Sequence, residues 1–295
     1  MLLRQNLSVY RVLRMTWKID LLMIALCFAA YATDTYVLAS IHILPAIPTL
    51  SGTAIAFFVA FNNNAAYSRW WEARTIWGGI VNDSRSWSRE LVAHAGDPGL
   101  AKKMILRHIG FLYALKADLR RTRDQTVEKY LSPKDLESIR NYRLLPNAIL
   151  NLQSSDLQKL SDEKKIDGFR FLSLNQLIRN FCEGMGKSER IKNTVFPTSY
   201  SYYTRLFIWI LVIVTTMTLA ESIGLWSVFF GWIVGFVFHA THINGQSLMN
   251  PFELTPPGVP LNAITRTIEI NLLQDIGYHE IPAPIAAERD GEYVL

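Results

Sequence analysis

The sequence predicts an all-α membrane protein with four transmembrane helices in two hairpins and a helical region between the hairpins. Three observations predict it. Four apolar segments stand out, at about 19 to 39, about 48 to 66, 206 to 220 and 223 to 243, and they fall in two pairs at opposite ends of the chain. Between the pairs, apolar residues such as Ile105, Ile109, Leu112 and Leu115 recur at helical spacing. No run competes with them by the alternation of a half-buried strand.

The first element begins with Arg4, Arg11, Arg14 and Lys18 ahead of an apolar run. That order resembles a signal peptide, but Asp34, Thr35 and Tyr36 stand where small cleavage-site residues belong. The connection from Ser40 to Leu50 contains Pro45 and Pro48 and no Lys or Arg, and the tight turn from Glu221 to Gly224 also lacks them. Basic residues flank the opposite ends instead: Arg69, Arg74, Lys187, Arg190, Lys192 and Arg205. Positively charged loops stay on the cytoplasmic side, so both termini and the middle region are expected there and the two short connections outside. In the middle region Asp97-Pro98 and Ser132-Pro133 read as helix starts, an N-cap followed by proline at the first helical position. Leu145-Pro146 is expected to break a helix, and Gly184 and Gly186 to end another. From Ile281 the tail IPAPIAAERDGEYVL has no periodicity and reads as an extended arm. The resulting divisions are 1–66, 67–204, 205–243 and 244–295, with no internal repeat.

Composition narrows the function classes. The 295 residues are 50% hydrophobic and 19% charged, more apolar than a typical soluble protein. A net charge of +5 does not point to nucleic acid, because the basic residues sit at the flanks of apolar segments. Cys27 and Cys182 have neither disulfide nor metal-ligand spacing. Gly184 to Ser188, GMGKS, ends like a phosphate-binding loop, but Phe181 stands where its first glycine is required, so it reads as a helix end. His239 and His242 form H-x-x-H, which either holds a metal with a third ligand or places two helix-end imidazoles against carbonyls. No acidic partner stands nearby, and no nucleophile-base pair or catalytic carboxylate pair appears, so no enzyme, cofactor or metal site is expected.

The most informative stretch is residues 51–74, SGTAIAFFVAFNNNAAYSRWWEAR. Its clean apolar part, Ala54 to Phe61, is far shorter than the roughly 20 residues a lipid-facing helix needs, and it runs into Asn62, Asn63 and Asn64 without a turn signal. A helix can turn polar at membrane depth where one face meets water. The spacing i, i+4, i+8 places Thr53, Phe57 and Phe61 on one stripe, with Ser68 continuing it about two turns later. Repeated around a symmetric oligomer, that stripe makes aromatic collars that gate by dewetting. The alternative is packing, with the phenylalanines filling a membrane core. Past the stripe, Trp70 and Trp71 suit interfacial anchoring, and Arg69 and Glu72 lie within ion-pairing reach. Asp34 ends the first apolar run, either as a solvated carboxylate at a pore mouth or as one at the lipid edge.

These residues make the chain resemble the bestrophin ion channels, in particular the compact bacterial members. The resemblance rests on Ser68-Arg69-Trp70-Trp71-Glu72 after the second apolar segment, Asn193-Thr194-Val195-Phe196-Pro197 before the third, Asn250-Pro251-Phe252-Glu253 after the fourth, and RTIEINLLQD from Arg266 to Asp275. Each is short, but their order and placement span nearly the whole chain. The resemblance implies a homopentamer around one central pore in the bacterial inner membrane, with a narrow neck and a second constriction at the cytosolic exit. Counting back from Arg69-Trp70-Trp71 sets the neck at Thr53, Phe57 and Phe61, with Asn64 and Ser68 as polar pore-lining positions. The exit aperture falls near Phe169 to Leu172, with Phe169 and Phe171 as candidates. The implied partners are further copies of the chain, the lipid bilayer and small monovalent ions, chloride by resemblance with cations left open. Animal members follow Asn-Pro-Phe with an acidic, calcium-binding run; here Glu253 is followed by Leu254-Thr255-Pro256-Pro257-Gly258, so no calcium clasp is expected. The alternative function is a membrane-anchored sensor or interaction protein without ion flux.

Overall fold

A computed structural model describes residues 9–38, 42–194, 198–288 and 293–294. Val195, Phe196 and Pro197 of the second motif, and the N-terminal Arg4, lie outside the described residues. Among the described residues the fold is helical: α1 (Val9–Tyr36), α2 (Ala46–His94), α3 (Pro98–Arg120), α4 (Thr126–Tyr130), α5 (Pro133–Ile139), α6 (Leu145–Asp162), α7 (Gly168–Asn193), α8 (Thr198–Ile223), α9 (Trp226–Leu248) and α10 (Leu261–Asp275). Among the described residues the extended pairing is an antiparallel bridge between Glu288 and Tyr293.

The chain forms two compact units, and α2 contributes residues to both. One unit comprises Gln5–Arg69 and Val195–Met249, hence α1, the first half of α2, α8 and α9. Here α1 packs against α8 and α9, and those two pack against each other. The first apolar segment thus packs with the later pair. Lipid supplies no hydrophobic drive between helices, so close backbone approach decides which faces meet. Gly235 on α9 provides it, because a Cβ there would collide with Met23 Sδ and lie 2.6 Å from Val212 Cγ2. The first half of α2 joins this unit through Ile55 and Val59, which pack with Ile208 and Leu211 of α8. Among the described residues three helices are long and apolar enough to cross a membrane by length and composition: Leu13–Tyr36, Ser199–Ile223 and Trp226–Leu248. The apolar part of α2 is not among them, since the asparagines interrupt it.

The other unit comprises Trp70–Thr194 and the described residues from Asn250 onward, and is built on the second half of α2, α3 to α7 and α10. Its core is continuous, with Trp77, Trp87, Phe111, Phe181 and Phe252 fully buried. Each such side chain contributes about 1.5–3 kcal/mol. Two helix starts fall where the sequence predicts them: Asp97 accepts from the Leu100 amide at 2.9 Å ahead of Pro98, and Ser132 accepts from the Asp135 amide at 3.2 Å ahead of Pro133.

Two expectations are corrected. Pro146 does not break a helix but sits in the first turn of α6, where its missing N–H costs nothing. Gly184 and Gly186 do not end a helix, for α7 runs through both to Asn193. Gly184 is buried with Ile80 Cγ1 3.0 Å from where its Cβ would be, so the glycine serves helix packing and the GMGKS stretch is mid-helix.

Candidate functional site

The backbone of α2 is one unbroken helix, so its side chains divide by spacing alone. Ile55, Val59, Asn62, Ala66, Ala73, Trp77 and Ile80 are buried and form the inward face. Thr53, Phe57, Phe61, Asn64 and Ser68 form the opposite face and are exposed, with Phe57 at 63% and Phe61 at 71%. Two large aromatic side chains thus project from the protomer. The stripe carries no charge, and the Thr53 hydroxyl donates back to the Thr49 carbonyl at 2.9 Å. Within the single chain these two phenylalanines stay largely exposed and fill no core. Phe58, one residue off the stripe, instead faces Phe207 of α8 with ring centroids 6.5 Å apart.

The asparagine triplet does not face water as a block. Asn62 is buried, and Asn63 donates from Nδ2 to the Thr241 carbonyl of α9 at 3.1 Å, leaving Asn64 as the exposed member. A helix turns about 100° per residue, so three successive amides cannot share one environment.

The second candidate constriction lies at the start of α7. Asp167 caps it, accepting from the Arg170 amide at 2.9 Å, so Phe169 sits in the first turn. Phe171 belongs to the face that continues through Leu174, Ile178, Phe181 and Met185 and packs against the core. Phe169, 88% exposed, and Leu172 are on the other face. The two sequence candidates are therefore unlike: one projects from the protomer and the other packs inside it.

Three of the four motifs prove to be braces. Trp70 Nε1 donates to the Pro257 carbonyl at 2.8 Å, and Glu72 pairs with Arg190 of α7. Trp70 is thus partly buried against protein, whereas Trp71 is 55% exposed. After α9, Phe252 is buried and its carbonyl accepts from Arg120 Nε at 3.1 Å, while Arg120 Nη1 donates to Asn262 at 2.7 Å. In α10 the buried Glu269 accepts from Tyr113 at 2.6 Å and from Tyr130, and pairs with Arg266 at 2.7 Å. Burial and this carboxylate push both phenols above their usual range. Asn271 holds Arg85 of α2.

His239 and His242 are both buried in α9, and the imidazole-to-carbonyl expectation fails: His239 Nε2 and both nitrogens of His242 have no hydrogen-bond partner among the described residues. Nor do three metal-ligating side chains converge among those residues. Asp34 is 7% exposed and so is buried within the protomer, while His42 and Glu221 approach to 3.0 Å. The sequence reading passed over Asp20, a carboxylate inside the first apolar run and 7% exposed. An acid within a membrane-length helix is the signal that marks it.

The architecture is that of an all-helical integral membrane protein. A family profile described as "Bacterial/Fungal Bestrophin protein" matches residues 7–274, so the chain belongs to the bacterial and fungal bestrophin family. It is 30% identical over 236 residues to the voltage-dependent anion channel-forming protein YneE of Salmonella typhi, covering 80% of this chain and 78% of that protein. It is 28% identical to the voltage-dependent anion channel-forming protein RSc3414 of Ralstonia nicotianae over 91% of this chain and 92% of the relative. A solved bestrophin homologue from Klebsiella pneumoniae superposes with a TM-score of 0.83 at 25% identity, over 88% of this chain and 98% of that one. Membership sets the protein among channel-family proteins and not among enzymes.

Proposed function

We propose that the protein is a homopentameric channel of the bacterial inner membrane that passes small monovalent ions, chloride foremost. Four membrane helices per protomer, the apolar part of α2 included, surround the pore, with both termini and the middle helical region in the cytoplasm. The observation that carries this reading is the exposed, uncharged stripe Thr53, Phe57, Phe61 on an otherwise packed α2. Five copies around an axis give those phenylalanines neighbours and make a neck whose width decides whether water and ions enter. Asn64 and Ser68 continue the pore wall where an ion needs polar contacts. Phe169, exposed beside Leu172, supports the exit aperture better than Phe171, which is committed to the core.

Neutral collars set no sign by charge. An aromatic edge is electropositive and favours anions, and a face favours cations. Chloride is preferred here because similar proteins are named as anion channel-forming. The deciding experiment is the reversal potential of purified protein in bilayers under asymmetric sodium chloride. A potential near the chloride equilibrium value is expected. One near the sodium value reverses the selectivity, and absence of conductance overturns the channel reading.

A further inference from the structure

The unit that contains α1, α8 and α9 holds buried polar atoms that its packing leaves without partners. Asp20 Oδ1, both carboxamide atoms of Asn62, His239 Nε2 and both ring nitrogens of His242 have no hydrogen-bond partner among the described residues. All four residues are more than nine-tenths buried. Leaving one such group dry costs on the order of 1–3 kcal/mol, and at membrane depth water is the only other partner.

Helix register brings these groups to one level. Gly235 meets Met23 in the antiparallel pair α9 and α1, so one turn further along, His239 comes beside Asp20, and Asp20 Oδ2 accepts from Thr16 at 2.6 Å. Asn63 meets Thr241 and Gly245, so α2 and α9 are in contact at the level where Asn62 and His242 are both buried. Among charged groups, Asp20 of α1 and Arg205 of α8 act on His239, and Arg205 and His239 act on His242, while α2 brings only uncharged amides at Asn62 and Asn63. Donors and acceptors are mixed, and three metal ligands do not converge. This chemistry suits water and a proton.

We propose that Asp20, Asn62, His239 and His242 form a hydrated proton-binding site inside the helix bundle. Water bridges the amide to the imidazoles, and a proton taken up on an imidazole nitrogen is balanced by the Asp20 carboxylate. The charged imidazolium then donates where the neutral ring accepted, so the contact with Asn62 changes. Asn62 lies one residue after Phe61 on the same helix, which connects the site to the proposed neck and rests, in that part only, on the channel reading.

Hydrogen-deuterium exchange of the purified full chain tests the site without needing flux. After correction for intrinsic rates, protection of peptides spanning residues 55–70 should change between about pH 7.5 and pH 4, a span that covers free and buried imidazoles alike. The change should disappear in His239→Gln/His242→Gln and shift in the nearly isosteric Asp20→Asn, which serves alone if the double variant does not fold. Protection that is independent of pH in the wild-type chain, or a pH response unaltered in Asp20→Asn, overturns the proposal. Chloride flux from liposomes is followed in parallel: pH-dependent protection without flux leaves the proton site standing and sinks the channel reading.

Discussion

Asn63 of α2 and Gly245 of α9 are packed so closely that the carboxamide of the asparagine occupies the space of the missing glycine side chain. A Cβ on Gly245 would collide with Asn63 Oδ1 and come within 2.7 Å of Cγ, while Nδ2 donates to the Thr241 carbonyl at 3.1 Å. This contact sets the rotation of α2 at the point where its exposed stripe passes from Phe61 to Asn64.

Gly245→Ala should therefore push α2 away from α9 and cost about 1–3 kcal/mol, the usual cost of overpacking a closed contact. A lowered thermal midpoint of the detergent-purified protein checks it. Gly186→Ala is the control, since nothing lies within 4 Å of a Cβ there. Equal midpoints for the two variants would remove the contact from the account.

Phe57→Ala should widen the proposed neck and raise ion flux severalfold with little loss of stability, because Phe57 is 63% exposed in the protomer. Liposome flux under a salt gradient measures it. Unchanged flux and selectivity would count against the stripe as the constriction.

Phe169→Ala and Phe171→Ala should separate cleanly. The first is expected to alter conductance and leave the thermal midpoint in place, since Phe169 is 88% exposed. The second removes a side chain packed against the core and should cost about 1–3 kcal/mol. The reverse pattern would transfer the aperture to Phe171.

Acid should destabilise the protein through His108. Its Nε2 lies 2.9 Å from Ser84 Oγ, whose hydrogen goes to the Ile80 carbonyl at 2.6 Å, so Nε2 is the protonated nitrogen and donates. Burial pushes the imidazole down to about 3. A neutral folded His against an unfolded value near 6.5 means that the unfolded chain binds the extra proton: stability is full above pH 6.5 and falls towards pH 3 by up to about 1.4 kcal/mol per unit. Asp135 acts lower: burial opposes ionisation, but the Ser132 hydrogen bond and the Arg107 charge prevail and hold it below its usual range, so its loss comes below about pH 4. Melting midpoints between pH 7 and 4 should fall in the wild-type chain and fall less in His108→Gln. Parallel curves would overturn the assignment.

Much of this molecule was legible residue by residue. Proline after a capping Asp or Ser marks the starts of α3 and α5, because capping and proline geometry are local. Proline after Leu145 was misread for the same local reason: its ring breaks a helix or begins one according to what precedes it, and Leu144, a non-capping residue, gives no sign. Gly184 was misread because glycine ends helices or lets them touch, and only Ile80 at 3.0 Å decides which.

The amino-acid sequence by itself determined the helical class, the family, and the periodicity that separates Thr53, Phe57 and Phe61 from Ile55 and Val59, since these depend on spacing along one chain. Tertiary structure alone decided that α1 packs against α8 and α9, that Phe171 turns inward while Phe169 does not, and that Asn62, His239 and His242 are enclosed. Those outcomes depend on which backbones can approach, and that is settled by glycines such as Gly235 and Gly245 meeting side chains far away in the sequence.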